Sequence, residues 1–76
     1  SPSQFRRVFV AQCGSSPHDY LLARRVAVAA GLLTTSERSI ADIALTVGFS
    51  SLSSFNRQFL RRQGCSPRAW RARGGQ

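Results

Sequence analysis

Residues 39–59 read SIADIALTVGFSSLSSFNRQF, and this stretch decides the fold. Apolar residues recur at helical spacing in its first part and predict a short helix over residues 40–47 with one apolar face; they are Ile40, Ile43, Ala44 and Val47. Gly48 follows, and glycine suits a tight turn because it adopts positive φ without steric cost. Ser51 fits the N-cap of a further helix over residues 52–63. The stretch therefore predicts a helix-turn-helix unit.

The second half of this unit occurs twice in the chain. Residues 1–21 align with residues 51–71 at an offset of 50, with eight identities in twenty-one positions, where average composition would give roughly one or two. The identical pairs are Ser1/Ser51, Ser3/Ser53, Phe5/Phe55, Arg7/Arg57, Phe9/Phe59, Gly14/Gly64, Ser16/Ser66 and Pro17/Pro67. In each copy, two phenylalanines four residues apart share one helical face. A glycine and then Ser-Pro predict the end of that helix and the start of the next.

A longer helix is predicted between the copies, over residues 17–33, with Gly31 weakening its end. Its apolar face consists of Leu22, Val26, Ala29 and Leu33. Ser16 and Asp19 fit a capping box at its start, and Ser39 and Asp42 repeat that pattern before the short helix. Residues 34–39 read as a polar connection. A last helix begins at Pro67, and the aromatic residues Tyr20 and Trp70 are predicted to pack in the core.

Charge narrows the choice of partner. The 76 residues hold 11 basic residues, all of them arginine, against 3 acidic ones, and the net charge is +8. A polyanion is therefore the expected partner, with nucleic acid ahead of an anionic membrane surface. With 1 histidine and 3 acids, the chain lacks the parts of a catalytic site, so we expect no enzyme, no metal and no cofactor. Cys13 and Cys65 are expected to be reduced thiols in a cytoplasmic protein.

The quoted stretch, with GCSPRAWR from Gly64 and SQFRRVF from Ser3, resembles the pattern of the AraC/XylS family of bacterial transcription regulators. The resemblance implies an all-α double helix-turn-helix domain, homeodomain-like, in which each recognition helix enters the major groove of double-stranded DNA. Residues 1–15 would be the recognition helix of a truncated first helix-turn-helix, residues 16–36 the linker helix and residues 37–76 the second subdomain with a C-terminal helix. Two helices preceding residue 1, and an effector or dimerisation domain, are expected outside this chain.

Residue roles follow from the two copies. Predicted base contacts in the second recognition helix are Ser53, Ser54, Asn56 and Arg57, and their first-copy equivalents are Ser3, Gln4, Arg6 and Arg7. Because position 6 is Arg and position 56 is Asn, we expect an asymmetric DNA site. Predicted phosphate contacts lie further toward the C-terminus: Arg61, Arg62, Arg68, Arg71 and Arg73. Arg25 and Asp42 are expected to have structural roles. For each candidate contact, a solvated surface role is the alternative.

Other functions stay open from sequence alone. A helical module that binds RNA or a polymerase subunit would show no preference among DNA duplexes, and RNA polymerase is also a candidate second partner of a DNA-binding domain. A membrane-active helix is disfavoured because the charges do not lie opposite one wide apolar face. If the first subdomain is incomplete, the apolar face of Phe5, Val8 and Phe9 is expected to be exposed and to favour self-association.

Overall fold

The computed structural model describes residues 16–75, which form α-helices and no strand. The all-α prediction is thereby confirmed for this part of the chain. The helices are α1 (Pro17–Thr35), α2 (Ile40–Thr46), α3 (Leu52–Gln63) and α4 (Pro67–Ala72). The predicted helix over residues 1–15, and the exposed apolar face predicted on it, lie outside the described residues.

A serine caps the N-terminus of every one of these four helices. The serine hydroxyl oxygens accept hydrogen bonds from the backbone N–H three residues later: Ser16 from Asp19 (3.1 Å), Ser39 from Asp42 (3.0 Å), Ser51 from Ser54 (3.1 Å) and Ser66 from Ala69 (3.1 Å). Such a cap contributes about 1 kcal/mol. The predicted serine caps at the starts of α1 and α2 are therefore confirmed.

The acidic halves of the two predicted capping boxes have other partners. The Asp19 carboxylate accepts a hydrogen bond from the Arg62 guanidinium, and the Asp42 carboxylate accepts one from Arg38. In a guanidinium–carboxylate hydrogen bond both partners are ionised, whereas in a bond from the backbone N–H of the cap only the carboxylate is charged. The contact between Asp19 and Arg62 joins α1 to α3.

Helix α1 extends two residues beyond the predicted range of residues 17–33. The hydroxyl groups of Thr34 and Thr35 donate hydrogen bonds to the Gly31 carbonyl oxygen, at 3.0 and 2.8 Å. The Ser36 hydroxyl also donates to the Leu32 carbonyl oxygen, at 2.7 Å. These polar side chains bond to carbonyls of the last turns, so the helix continues through the threonines and the predicted polar connection is shorter.

The hydrophobic core lies where α1 crosses the other three helices. Its buried residues come from α1, α2, α3 and the α2–α3 turn: Val26, Ala29, Ala30, Leu33, Ile43, Ala44, Phe49, Phe55 and Phe59. The predicted apolar faces of the first three helices are thus confirmed. The predicted linker helix α1 is in contact with α2, α3 and α4. It therefore shares one core with the helix-turn-helix of α2 and α3.

Aromatic rings run through this core in sequence. Phe49 packs edge-on against Phe55 with ring centroids 5.3 Å apart, Phe55 lies 5.6 Å from Phe59, and Phe59 lies 6.0 Å from Trp70. The Trp70 indole N–H donates a hydrogen bond to the Ala30 carbonyl oxygen at 3.0 Å. Trp70 therefore packs on the core as predicted and joins α4 to α1.

The corresponding prediction for Tyr20 is wrong, because its side chain is 45% exposed. Tyr20 lies six residues before Val26, which at about 100° per residue places it well away from the buried stripe of α1. Tyr20 and Trp70 occupy matching positions in the two sequence copies, but Tyr20 is exposed whereas Trp70 packs on the core. Cys65 is a free, buried cysteine; Cys13 lies outside the described residues.

Candidate nucleic-acid interface

The α2–α3 turn fixes the start of the candidate interface. Gly48 has φ +110°, in the region that side chains disfavour, as predicted for the turn residue. The Gly48 N–H donates to the Leu45 carbonyl oxygen at 3.1 Å, and the Phe49 N–H donates to the Ala44 carbonyl oxygen at 2.9 Å. Ala44 is 2% exposed, as expected for a small residue at a close helix contact. α2 ends one residue earlier than predicted, with Val47 as its C-cap.

Arg25 of α1 lies directly over this turn. A Cβ atom added to Gly48 would approach the Arg25 Nε atom to 2.9 Å and its Cζ atom to 3.1 Å. Arg25 is half-buried. Glycine is required here by the backbone angle, and a Cβ atom would in addition displace the Arg25 guanidinium. The predicted structural role of Arg25 agrees with this contact.

α3 has one buried face and one exposed face. Phe55 and Phe59 are fully buried, whereas Ser53, Asn56 and Arg57 are exposed. The structure therefore brings these three predicted base-contact residues together on the solvent-facing side of the first two turns. Ser54, the fourth, is half-buried, and its backbone N–H donates to the Ser51 cap. Their first-copy equivalents Ser3, Gln4, Arg6 and Arg7 lie outside the described residues.

Sequence reasoning missed one member of the exposed face, Leu60, whose side chain is 54% exposed. Leu60 follows Ser53 by seven residues and Arg57 by three, so the three side chains share one stripe of the helix. The spacings of four residues from Ser53 to Arg57 and of three from Arg57 to Leu60 indicate this placement. A leucine next to Phe59 is nevertheless easily taken for a core residue when only its apolar character is considered.

The predicted phosphate-contact arginines fall into two groups. Arg61, Arg68 and Arg73 are exposed, and no hydrogen bond or ion pair joins their side chains to another part of residues 16–75. Arg62 and Arg71 are half-buried and bonded within the fold. The sequence did not distinguish the groups, because all five residues are arginines near the same end of the chain.

Arg62 joins the end of α3 to the start of α1. Its Nη2 atom donates to the Asp19 Oδ1 atom at 2.8 Å, and its Nε atom donates to the Gln58 Oε1 atom at 3.2 Å. The Arg62 side chain is 18% exposed. Its hydrogen bond lowers the pKa of Asp19 below the ordinary value of 3.8, outweighing the opposite effect of burial. The pair holds α3 against α1.

Arg71 of α4 binds three backbone carbonyl oxygens around the α1–α2 connection. Its Nε atom donates to Leu33 at 2.9 Å, and its Nη2 atom donates to Ser36 at 3.2 Å and to Arg38 at 2.6 Å. The carbonyls in the last turn of a helix lack intrahelical partners. Arg71 therefore caps the C-terminus of α1 and fixes the path of the chain into α2.

Arg38 makes the second ion pair of the described residues. Its Nε atom donates to the Asp42 Oδ2 atom at 2.7 Å, and its Nη2 atom donates to the Thr46 hydroxyl. The hydrogen bond from Arg38 lowers the pKa of Asp42. Asp42 thus has the structural partner that its predicted role requires, on the exposed side of α2.

Comparison with known proteins identifies the family. The sequence pattern of the family described as "Helix-turn-helix domain" matches residues 1–73. A solved structure of a transcriptional regulator from Chromobacterium violaceum, described as AraC-type, superposes with a TM-score of 0.95 and 34% identity, over 100% of this chain and 68% of that one. The chain belongs to the AraC-type helix-turn-helix family. The resemblance that the sequence suggested is confirmed.

Curated relatives of this AraC-type domain are transcription regulators by name. The probable transcriptional regulator LumQ of Photobacterium leiognathi is 40% identical over 65 residues, which are 86% of this chain and 26% of LumQ. The HTH-type transcriptional regulator ExsA of Pseudomonas aeruginosa is 43% identical over 63 residues, 83% of this chain and 23% of ExsA. The chain thus spans about a quarter of the length of these relatives, and its fold is that of an AraC-type helix-turn-helix domain.

Two further observations concern other kinds of site in the AraC-type domain. Between residues 16 and 75, no three His, Cys, Asp or Glu side chains are grouped in a way that could hold a metal ion. In the same range, no helix combines the length and the apolar character that crossing a membrane requires.

Proposed function

We propose that this AraC-type domain binds double-stranded DNA sequence-specifically by placing α3 in the major groove. The observation that carries the proposal is the division of α3 into two faces. Phe55 and Phe59 anchor it in the core, and Ser53, Asn56 and Arg57 face solvent in its first two turns. In helix-turn-helix proteins, residues in this part of the second helix contact base edges.

Each of these side chains has a matching base chemistry. Arg57 carries a guanidinium that can bond in bidentate fashion to O6 and N7 of guanine, and Asn56 carries an amide that suits N6 and N7 of adenine. The Ser53 hydroxyl can donate to or accept from either purine. A half-site read by α3 is therefore proposed to contain a guanine and an adenine near each other. Ser54 is a weaker candidate for a base contact because it is half-buried.

Phosphate contacts are proposed for the exposed arginines. The side chains of Arg61 and Arg68 are exposed and make no hydrogen bond or ion pair within residues 16–75, so their guanidinium groups are available to DNA. Arg62 and Arg71 instead bond to Asp19 and to backbone carbonyls, so we assign them to the fold. Phosphate neutralisation releases counterions, and binding should therefore weaken steeply as salt increases.

The first sequence copy is proposed to read a second half-site through Ser3, Gln4, Arg6 and Arg7. α1 spans 19 residues, about 28 Å at 1.5 Å per residue. Successive major-groove faces on one side of DNA lie about 34 Å apart, so the length of α1 is of the same order as the spacing of two half-sites read by one chain. Because Arg6 corresponds to Asn56, the proposed full site is asymmetric, and recovery of a palindrome from a random duplex library would contradict this part.

The domain is proposed to act in the cytoplasm, by binding rather than by catalysis, as one part of a longer regulator. RNA polymerase is the proposed second partner, since a regulator bound near a promoter can act by contacting it. Reporter transcription in a purified system, with and without the chain, would test that second contact separately from DNA binding.

The central test compares two single arginine substitutions. We expect Arg57→Ala to relax the base preference at one position of the selected site, at a cost of about 1–3 kcal/mol on the preferred sequence. Arg61→Ala is the matched control, because both residues are exposed on α3. It should weaken binding to all duplexes about equally and reduce the slope of log affinity against log salt by about 1. Competition binding on the selected site and its single-base variants measures both effects.

Two outcomes would overturn the proposal. Equal affinity of the unsubstituted chain for the selected and scrambled duplexes would favour the RNA- or protein-binding alternative. If selection succeeds and Arg57→Ala weakens all duplexes alike, Arg57 is a phosphate contact and the base-contact assignment fails.

A further inference from the structure

The exposed face of α3 carries one apolar side chain among its polar ones. Leu60 is 54% exposed and does not pack on the hydrophobic core, unlike Leu22, Leu32 and Trp70. Its neighbours on the outer surface are Asn56, one turn earlier, and the exposed Arg61 next to it. An exposed leucine alone needs no explanation. This one lies in the stripe that the proposed function turns toward DNA.

Helical geometry places Leu60 within reach of the same groove as its neighbours. Leu60 follows Asn56 by four residues and Arg57 by three, so Cβ atoms at these positions are about 5–6 Å apart. The buried Phe55 and Phe59 anchor the opposite face, so α3 cannot present Asn56 and Arg57 to a groove without also bringing Leu60 against it. A branched C4 side chain with no hydrogen-bonding atom would then lie at the groove floor or wall.

The major groove offers one apolar group, the C5-methyl of thymine. We infer that Leu60 is a specificity-determining residue that contacts a thymine methyl group. This inference rests on the proposed function and adds a third base to the half-site. One turn of α3 advances about 5.4 Å, whereas successive base pairs are about 3.4 Å apart. The thymine therefore lies one or two base pairs from the adenine that Asn56 reads.

The test removes the methyl group without changing base pairing. Thymines of the selected half-site are replaced one at a time by deoxyuridine, and the affinity of the 76-residue chain is measured by competition. Burial of one methyl-sized group is worth about 0.8 kcal/mol, so deoxyuridine at the contacted position should lower affinity about fourfold. Leu60→Ala should bind the thymine and deoxyuridine duplexes equally, and it should retain the Arg57-dependent preference.

The matched control is Leu45→Ala. Leu45 is 66% exposed, but it lies on α2 rather than on α3. This variant should keep the full fourfold sensitivity to deoxyuridine. Circular dichroism of both variants verifies that exposed leucines were removed without loss of helix.

Different results would overturn the Leu60 assignment and the proposed function. If the chain prefers its selected site over scrambled DNA but tolerates deoxyuridine at every position, the Leu60 assignment is overturned and the proposed function stands. The assignment is also overturned if Leu45→Ala abolishes methyl sensitivity as fully as Leu60→Ala does. If the chain shows no preference among duplexes at all, the proposed function falls, and the Leu60 assignment falls with it.

Discussion

At the scale of single residues, the contact between Arg25 and Gly48 shows how two elements constrain one position. The turn requires φ +110°, and the guanidinium of α1 occupies the space where a Cβ atom would be. The first constraint could be predicted from the sequence, since a glycine follows an apolar helical face. The second could not, because Arg25 and Gly48 are brought together only when α1 packs on α2.

A pair of glycine substitutions tests this position. We expect Gly48→Ala to destabilise the domain by about 1–3 kcal/mol, because alanine at this φ is strained and its Cβ atom meets Arg25. Gly31→Ala is the control. Gly31 lies within α1 with no atom within 4 Å of an added Cβ. There alanine should stabilise by about 0.5–1 kcal/mol. Urea unfolding of both variants measures the difference, and equal stability of the two would contradict the explanation.

At the scale of the elements, the helices are held in place by polar contacts from arginines at their junctions. Arg71 of α4 binds carbonyl oxygens at the end of α1 and in the connection to α2. Arg62 of α3 binds Asp19 in the first turn of α1. Both contacts tie α1 to the rest of the helix-turn-helix unit, so α1 supports the orientation of α3 as well as linking the two sequence copies.

Removal of the Arg71 contacts should loosen the junction of α1 and α2. In Arg71→Ala, carbonyl oxygens of the connection lose their donors, and we expect a loss of about 1–3 kcal/mol in unfolding free energy. Arg68→Ala, one turn earlier in α4 and exposed, should change stability by less than about 0.5 kcal/mol. Thermal unfolding at fixed salt compares the two. A similar loss in Arg68→Ala would mean that general charge, rather than these hydrogen bonds, accounts for the effect.

At the scale of the whole molecule, acidic residues are few and two of the three are in ion pairs. Asp19 pairs with Arg62, 43 residues away along the chain, and Asp42 pairs with Arg38 on the same side of α2. The pKa of each aspartate is therefore lowered in the folded chain. The carboxylates help to hold the fold together, while Arg57, Arg61, Arg68 and Arg73 remain exposed.

Stability should accordingly fall in acid. Because the folded pKa values of Asp19 and Asp42 lie below the ordinary 3.8, the unfolded chain binds more protons near that pH, and stability rises with pH there. The contribution is fully present above about pH 5, and it is lost as pH falls through the lowered folded values. Melting temperature against pH should show a shallower acid decline in Asp19→Asn and in Asp42→Asn.

The control for this pH dependence is Glu37→Gln, which removes the third acidic residue. Glu37 is exposed and makes no ion pair among residues 16–75. Its substitution should leave the acid decline unchanged. An unchanged decline in both aspartate variants would instead show that other groups control the acid response.

Local architecture follows from patterns within short stretches of the chain. The positions of α1 to α4, their serine caps, the apolar faces and the turn at Gly48 all follow from spacing within a few residues, so they could be predicted without a structure. The exposure of Asn56 and Arg57 opposite Phe55 was also implied by helical periodicity. Among these local features, the structure corrected the helix boundaries, such as the extension of α1 through two threonines, and the partners of Asp19 and Asp42 in the predicted capping boxes.

Contacts between distant parts of the chain were set only by the packing of the helices. That packing separated Arg62 and Arg71 from the exposed Arg61 and brought the Arg25 side chain to Gly48. An arginine suits both a solvated surface and a junction between helices. Which environment each arginine occupies is set by the way α1 packs across the other helices, and sequence spacing within one helix carries no record of that packing.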